Sequence, residues 1–284
     1  MHQSHNALKT VALLGLLSSF LVIGGQMIAG PRGVEYGLFI AVAMNFGSYF
    51  FSDKIALATS GAQPLTPETA PEIYARIAPL VGGLAQKMGI PMPKLYITPE
   101  PSPNAFATGR NPSHASVAFT EGILQLMNDS ELEGVVAHEL GHVLNRDILT
   151  SSIAGTLAAA ITSLARFGMF FGGGDRDDRD RGGGAGALIM LFLGPIAAML
   201  IQMAISRTRE YSADAASAKY LGTPTPLINA LGKLDTWSQR IPMEATPTTQ
   251  HLYIMKPLAG GSMMNLFSTH PSTEDRIKRL EQMR

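Results

Sequence analysis

The chain contains no cysteine, so disulfides and thiolate metal ligands are excluded, and any zinc must be held by His, Glu or Asp. Charge is scarce as well: Asp, Glu, Lys and Arg make up only 15% of 284 residues, and 22 basic residues balance 22 acidic ones. With no net charge and no basic patch interleaved with aromatics, the composition argues against a nucleic-acid partner. What the chain has in excess is apolar surface. It is 46% hydrophobic with a positive mean hydropathy of +0.14, unusually apolar for a soluble protein. Its length allows one or two domains.

The excess is localised. Residues 10–29 form a run of 20 without a charge, and residues 36–51 a run of 16 interrupted only by Asn45. Residues 153–171 carry one charge, Arg166, and residues 185–205 carry none. Lengths near 20 match the ~30 Å hydrocarbon core of a bilayer, so four transmembrane helices in two hairpins are expected. Residues 30–33 would join the first hairpin. The second would be joined by residues 172–184, a Gly/Asp/Arg stretch with the composition of a solvated loop, whose acidic and basic part at 175–181 has no assigned role. The expected units are therefore 1–51 (hairpin), 52–152 (first part of a soluble domain), 153–205 (hairpin) and 206–284 (second part of that domain). Four crossings put both soluble parts on one side. Lys9, Lys54, Arg146, Arg207 and Arg209 flank that side, against Arg32, Arg176, Arg179 and Arg181 on the other, a small positive-inside bias toward the cytoplasm.

In the first soluble part, residues 71–88 have a helical pattern ended by Pro91 and Pro93. Residues 94–98, 105–108 and 116–120 have strand character. Ser130 with Glu133 has the form of a capping box, opening a helix from about 131 past 146. That helix carries His138-Glu139-Leu140-Gly141-His142. Residues four apart share a helical face, so both imidazoles can reach one cation, and Glu139 can address a water rather than the cation itself. As core residues instead, they would leave a charged Glu139 unpaired in an apolar helix, which is costly.

A catalytic zinc takes three protein ligands. Downstream, Glu210 and Asp214 lie four apart on one helical face. Glu210 is the expected third ligand, and Asp214 the acceptor for the outer N–H of a ligating histidine. The competing reading is a solvated face with Arg207 and Arg209 pairing the acids. His270, before Pro271 and the last helix, is either a helix-entry residue or a donor to a developing oxyanion. His2, His5, His114 and His251 receive no role.

Together, four apolar segments, Asn104-Ala105-Phe106-Ala107-Thr108-Gly109, the His-Glu-x-x-His helix, Ser206-Arg207-Thr208-Arg209-Glu210-Tyr211-Ser212-Ala213-Asp214 and Thr269-His270-Pro271-Ser272-Thr273 resemble the HtpX family of bacterial membrane metallopeptidases, relatives of the CAAX prenyl-protein protease. The resemblance implies a mainly helical α+β membrane protein with a zincin domain of the glutamate-ligand type. One Zn²⁺ would be bound by His138, His142 and Glu210, with Glu139 as general base and His270 as a transition-state residue. It marks Asn104, Ala105, Phe106 and Ala107 as a substrate-binding edge, able to pair with an extended peptide through main-chain hydrogen bonds. It places the enzyme in the bacterial inner membrane with the catalytic domain cytoplasmic, cutting misfolded or damaged membrane proteins under stress. No motif assigns an oligomeric state. The alternative is a zinc-stabilised membrane adaptor that binds unfolded polypeptide without cutting it; a purely structural metal site has no use for Glu139. A transporter is disfavoured because only Arg166 and Asn45 bring notable polarity into the spans.

Overall fold

The structure, a computed structural model, describes residues 2–153, 207–240 and 271–283. The expected spans beyond residue 153, the 172–184 loop, His251 and His270 lie outside the described residues. Helix α1 (His2–Thr59) is two arms that meet where Ala29 (φ −134°) and Gly30 (φ 61°) leave helical geometry. The expected connection over residues 30–33 is thus shorter, because Pro31 has a fixed φ suited to a first helical turn and already starts the second arm. The arms pack antiparallel in close contact. A Cβ on Gly25 would strike the carbonyl of Gly33, and one on Gly37 the carbonyl of Leu21. Asn45 Nδ2 donates to Ser18 Oγ across the arms at 2.8 Å, so the amide N–H of the polar residue interrupting the second apolar run finds its partner within the hairpin.

Among the described residues, one helix, Ala29–Thr59, is long and apolar enough to cross a membrane. The apolar part of the first arm, Thr10–Ile23, is shorter. Large apolar side chains such as Phe39 (75% exposed) and Val42 (62%) point outward along the second arm. A helix apolar on all sides suits a membrane better than water.

Strands β1 (Gln63–Pro64), β2 (Lys94–Thr98), β3 (Ala105–Gly109) and β4 (Ala115–Thr120) form a sheet of order β1-β2-β4-β3. The β2–β4 pair is parallel and the other two pairs are antiparallel. Three strands fall within a residue of expectation. The two-residue β1 is too short to show a period of two. Alternation along β4 sends Val117 and Phe119 into the main core. On the other face, Ala118 packs with Phe106 against Ala56 and Leu57 at the end of α1. The hairpin is therefore continuous with the cover of the sheet.

Helices α2 (Pro71–Met88), α3 (Glu121–Leu126), α4 (Asp129–Leu144), α5 (Arg207–Leu221), α6 (Thr225–Arg240) and α7 (Thr273–Glu281) complete the described fold, which is mainly helical α+β. Helix α2 has the expected bounds and buries Ile77, Val81, Leu84 and Met88 on one stripe. Its end comes at Gly89, left-handed at φ 67°, before Pro91 is reached. Helix α4 is the centre of the molecule, with Leu132, Val135, Val136, Leu140 and Val143 buried. Its capping box lies two residues earlier than expected: Asn128 accepts from Glu131 N, and the Glu131 side chain accepts from Asn128 N, both at 2.9 Å. Two overlapping cap motifs compete here, and the earlier one is reinforced by Lys233 Nζ, which donates to Glu131 at 2.7 Å. The helix also ends sooner, at Leu144 rather than past Arg146.

Close approach of α5 and α6 to α4 depends on two small residues. A Cβ on Gly134 would collide with the backbone at Pro226 and Leu227, whereas one on Gly141 would sit 3.1 Å from Ala213 Cα. We predict that Gly134→Ala costs roughly 1–3 kcal/mol or more, since backbone cannot yield as a side chain does. Gly141→Ala should cost less. Thermal melts of the two variants test the order, and an equal or reversed ranking would refute it.

Candidate metal centre

Four-residue spacing in α4 stacks His138 over His142 with ring centroids 4.8 Å apart and planes at 87°. Each ring is held from behind by its own carboxylate. His138 Nδ1 lies 2.9 Å from Asp214 Oδ1, and His142 Nδ1 lies 3.1 Å from Asp147 Oδ2. With each Nδ1–H given to a carboxylate, both Nε2 atoms are left facing α5. There Glu210 presents Oε2 3.7 Å from His138 Nε2 and Oε1 3.6 Å from His142 Nε2. Potential ligand atoms of the three side chains all lie within 4.8 Å of one another. A tetrahedral zinc with bonds of ~2.0–2.2 Å needs ligand atoms ~3.4 Å apart, so a small contraction would close the set. Two imidazoles and one carboxylate suit zinc, whereas magnesium and calcium prefer oxygen alone. The donor set fits the ion.

The electrostatics are those of a dry, crowded site. Burial pulls the His142 pKa down, but its hydrogen bond to Asp147 and the charges of Glu210, Asp147 and Glu139 outweigh it and raise it to about 9. Without metal His142 therefore carries a proton at neutral pH, which a cation must displace. Burial raises the Glu139 carboxyl above its usual range, against the opposing pull of the two histidines. Burial would raise Asp214 too, but the Arg276 guanidinium beside it holds it well below the usual carboxylate range.

Arg276 and Asp147 are the residues that sequence reading missed. Arg276, on α7, is 3% exposed. It grips Asp214 with both arms of its guanidinium, Nε to Oδ2 at 2.9 Å and Nη2 to Oδ1 at 2.6 Å. Its Nη2 also lies 3.3 Å from His138 Nδ1. That nitrogen, having given its proton to Asp214, has no lone pair to offer, so the contact is packing against the ring. Asp214 thus serves both His138 and Arg276. Arg209, expected at most on a solvated face, is buried, with Nη1 3.5 Å from the Asp147 carbonyl.

Glu139 points the other way, toward the sheet, where Oε2 accepts from Ala107 N at 2.9 Å. Strand β3 is an edge, paired on one side with β4, and this bond shows that the Ala107 N–H faces Glu139 on α4. The rest of the expected edge is less directly placed. Asn104 is buried, and its carbonyl accepts from Thr120 N at 2.9 Å. Ala105 belongs to the main core. The Phe106 side chain packs on the opposite face of the sheet, toward α1. The structure thus brings together His138, Glu139, His142, Glu210, Asp214 and the backbone of Ala107.

The sequence model of peptidase family M48 matches residues 71–284, which takes in strands β2 to β4 and every helix named above except α1. A protein of Desulfatibacillum aliphaticivorans named Protease HtpX homolog is 53% identical over 279 residues, covering 97% of this chain and 89% of its own. One of the same name from Pelotomaculum thermopropionicum is 48% identical over 282 residues, covering 98% and 99%. Among solved structures, the crystal structure of S. mikatae Ste24p matches with a TM-score of 0.54 at 18% identity. That match covers 99% of this chain but only 66% of Ste24p, and it is a likeness of fold. Identity near one half, sustained end to end, is far beyond what a shared fold alone requires, and the chain belongs to peptidase family M48, as a metallopeptidase.

Proposed function

We propose that the chain is a multi-pass zinc endopeptidase of the bacterial inner membrane, with the catalytic domain cytoplasmic. Four transmembrane helices would divide it into units 1–51, 52–152, 153–205 and 206–284, the second and fourth forming one zincin-type domain. Its substrates would be misfolded or damaged membrane proteins. The observation that carries the reading is the convergence of two Nε2 atoms and the Glu210 carboxylate beside the buried Glu139. Family membership, with relatives named as proteases, and the apolar hairpin continuous with the sheet support it.

On this reading His138, His142 and Glu210 hold Zn²⁺, which supplies Lewis acidity and lowers the pKa of water. Glu139 takes a proton from the water that attacks the peptide carbonyl. As the C–N bond breaks, Glu139 delivers that proton to the leaving amine. Burial raises its proton affinity toward that needed for this exchange. Edge strand β3 would pair with the main chain of an extended substrate at Ala107, which explains tolerance of many sequences. His270 would donate to the oxyanion. Asp214 would orient His138. An adaptor has no use for a carboxylate held between the histidines and an edge strand, so the enzymatic reading is preferred.

The test is metal analysis of the purified full chain, together with cleavage of unfolded membrane-protein substrates. One zinc per chain, and cleavage abolished by a chelator and restored by zinc, are expected. Zinc-loaded protein that leaves several such substrates intact would favour the adaptor.

A further inference from the structure

We infer that Asp147 is the positioning residue for His142, a role that rests on the proposed ligand set. In a continued helix, residue 147 would sit about 140° around the axis from residue 142 and face away from it. The chain avoids this. Helix α4 stops at Leu144, Arg146 takes a left-handed φ of 59°, and residues 147–153 are helical again. A non-glycine residue in that region is held there by its surroundings. The break returns the Asp147 carboxylate to His142 Nδ1 at 3.1 Å, with only 3% of Asp147 exposed.

Two consequences follow for His142. Its proton is fixed on Nδ1, so Nε2 faces Glu210, and its ring plane is fixed by a second point besides Cβ. The segment that supplies this carboxylate is itself anchored. Ile148 and Ile153 are buried. Thr150 shares a hydrogen bond with Thr10 of the first hairpin arm at 3.1 Å, and Ser152 shares one with Thr108 of β3 at 2.9 Å. The Asp147 carbonyl also lies 3.5 Å from Arg209, the neighbour of Glu210. One short buried stretch therefore registers His142 against the hairpin, the edge strand and the helix of the third ligand.

The test uses Co²⁺ binding by the detergent-solubilised full chain, read by chelator competition and by the visible absorption of bound cobalt. Asp147→Ala should weaken cobalt binding ~10–100-fold and move the absorption band, with one cobalt per chain at saturation. Asp147→Asn retains an acceptor oxygen without the charge and should lose less. Where the alanine variant fails to fold, the asparagine variant carries the same criteria. Wild-type affinity and an unmoved band in these variants, with binding lost in His142→Ala, would overturn the role of Asp147 and leave the ligand set standing. Wild-type binding by His142→Ala would remove the ligand set as well. A lower melting temperature of the metal-free variants with an unchanged cobalt constant would mean that Asp147 merely supports the fold, and would also overturn the inference.

Discussion

Glu139→Gln is expected to reduce cleavage of unfolded substrate by ~10²–10⁴-fold while leaving zinc content and substrate binding unchanged. The substitution keeps the shape of the side chain, and its amide oxygen can still accept the Ala107 N–H that now reaches Oε2. What it removes is the ability to take a proton from attacking water and pass it to the leaving amine. Burial makes that ability specific to the position. A carboxylate whose pKa is raised by desolvation holds the proton more firmly than one in water, so bulk buffer is a poor substitute. Single-turnover measurements on zinc-loaded protein separate this step from binding. Undiminished cleavage would remove Glu139 from the mechanism and leave the metal centre untouched.

The second large effect is expected for Glu210→Ala, which should strip zinc from the protein under conditions where the wild type stays loaded. Glu210 is the bridge between α5 and the two Nε2 atoms, at 3.6 and 3.7 Å. Its loss leaves two imidazoles on one helix and no closed ligand set. Stability reports the same event. A ligand that binds only the folded state adds about 4 kcal/mol at a thousand times its dissociation constant. The rise in melting temperature that zinc gives the wild type should therefore vanish in Glu210→Ala, and a persistent rise would show a different ligand set. Asp214→Ala is a sharper perturbation than its distance from the metal implies. Beyond freeing His138, it takes from the buried Arg276 guanidinium the carboxylate it grips at 2.6 and 2.9 Å, leaving Glu210 Oε2 at 3.8 Å from Nη1.

Much of this site was legible in the sequence because its main parts are local. His138 and His142 fall on one helical face with Glu139 next to the first, Glu210 and Asp214 share a face of another helix, and periodicity alone brings each pair together. Strands β2 to β4 and α2 were equally plain, since alternation and a buried stripe span five residues or more. What escaped reading was non-local or conformationally unusual. At the break the left-handed residue is Arg146, a type that seldom takes that conformation, and the C-cap Asn145 is the one sign of a stop, so Asp147 read as one more residue on a longer helix. Arg276 lies on a helix six of whose nine residues are charged, so nothing in the pattern singles it out, and only packing shows it turned inward onto Asp214. The capping box slipped by two residues because Asn128 and Ser130 satisfy the same rule, and a lysine from α6 favours one of them.

The arrangement also sets an order of events at the ribosome. The α4 histidines are made first; Glu210 and then Arg276 follow only after all the intervening chain. At ~5–20 residues per second, the interval between residues 142 and 276 is on the order of ten seconds. For the first half of it the nascent chain holds a histidine pair and a base without Glu210, and for all of it without the guanidinium that braces Asp214. A peptidase assembled in this sequence would be inert while it is being synthesised, and would gain its cutting edge only once α5 and α7 have closed on the site.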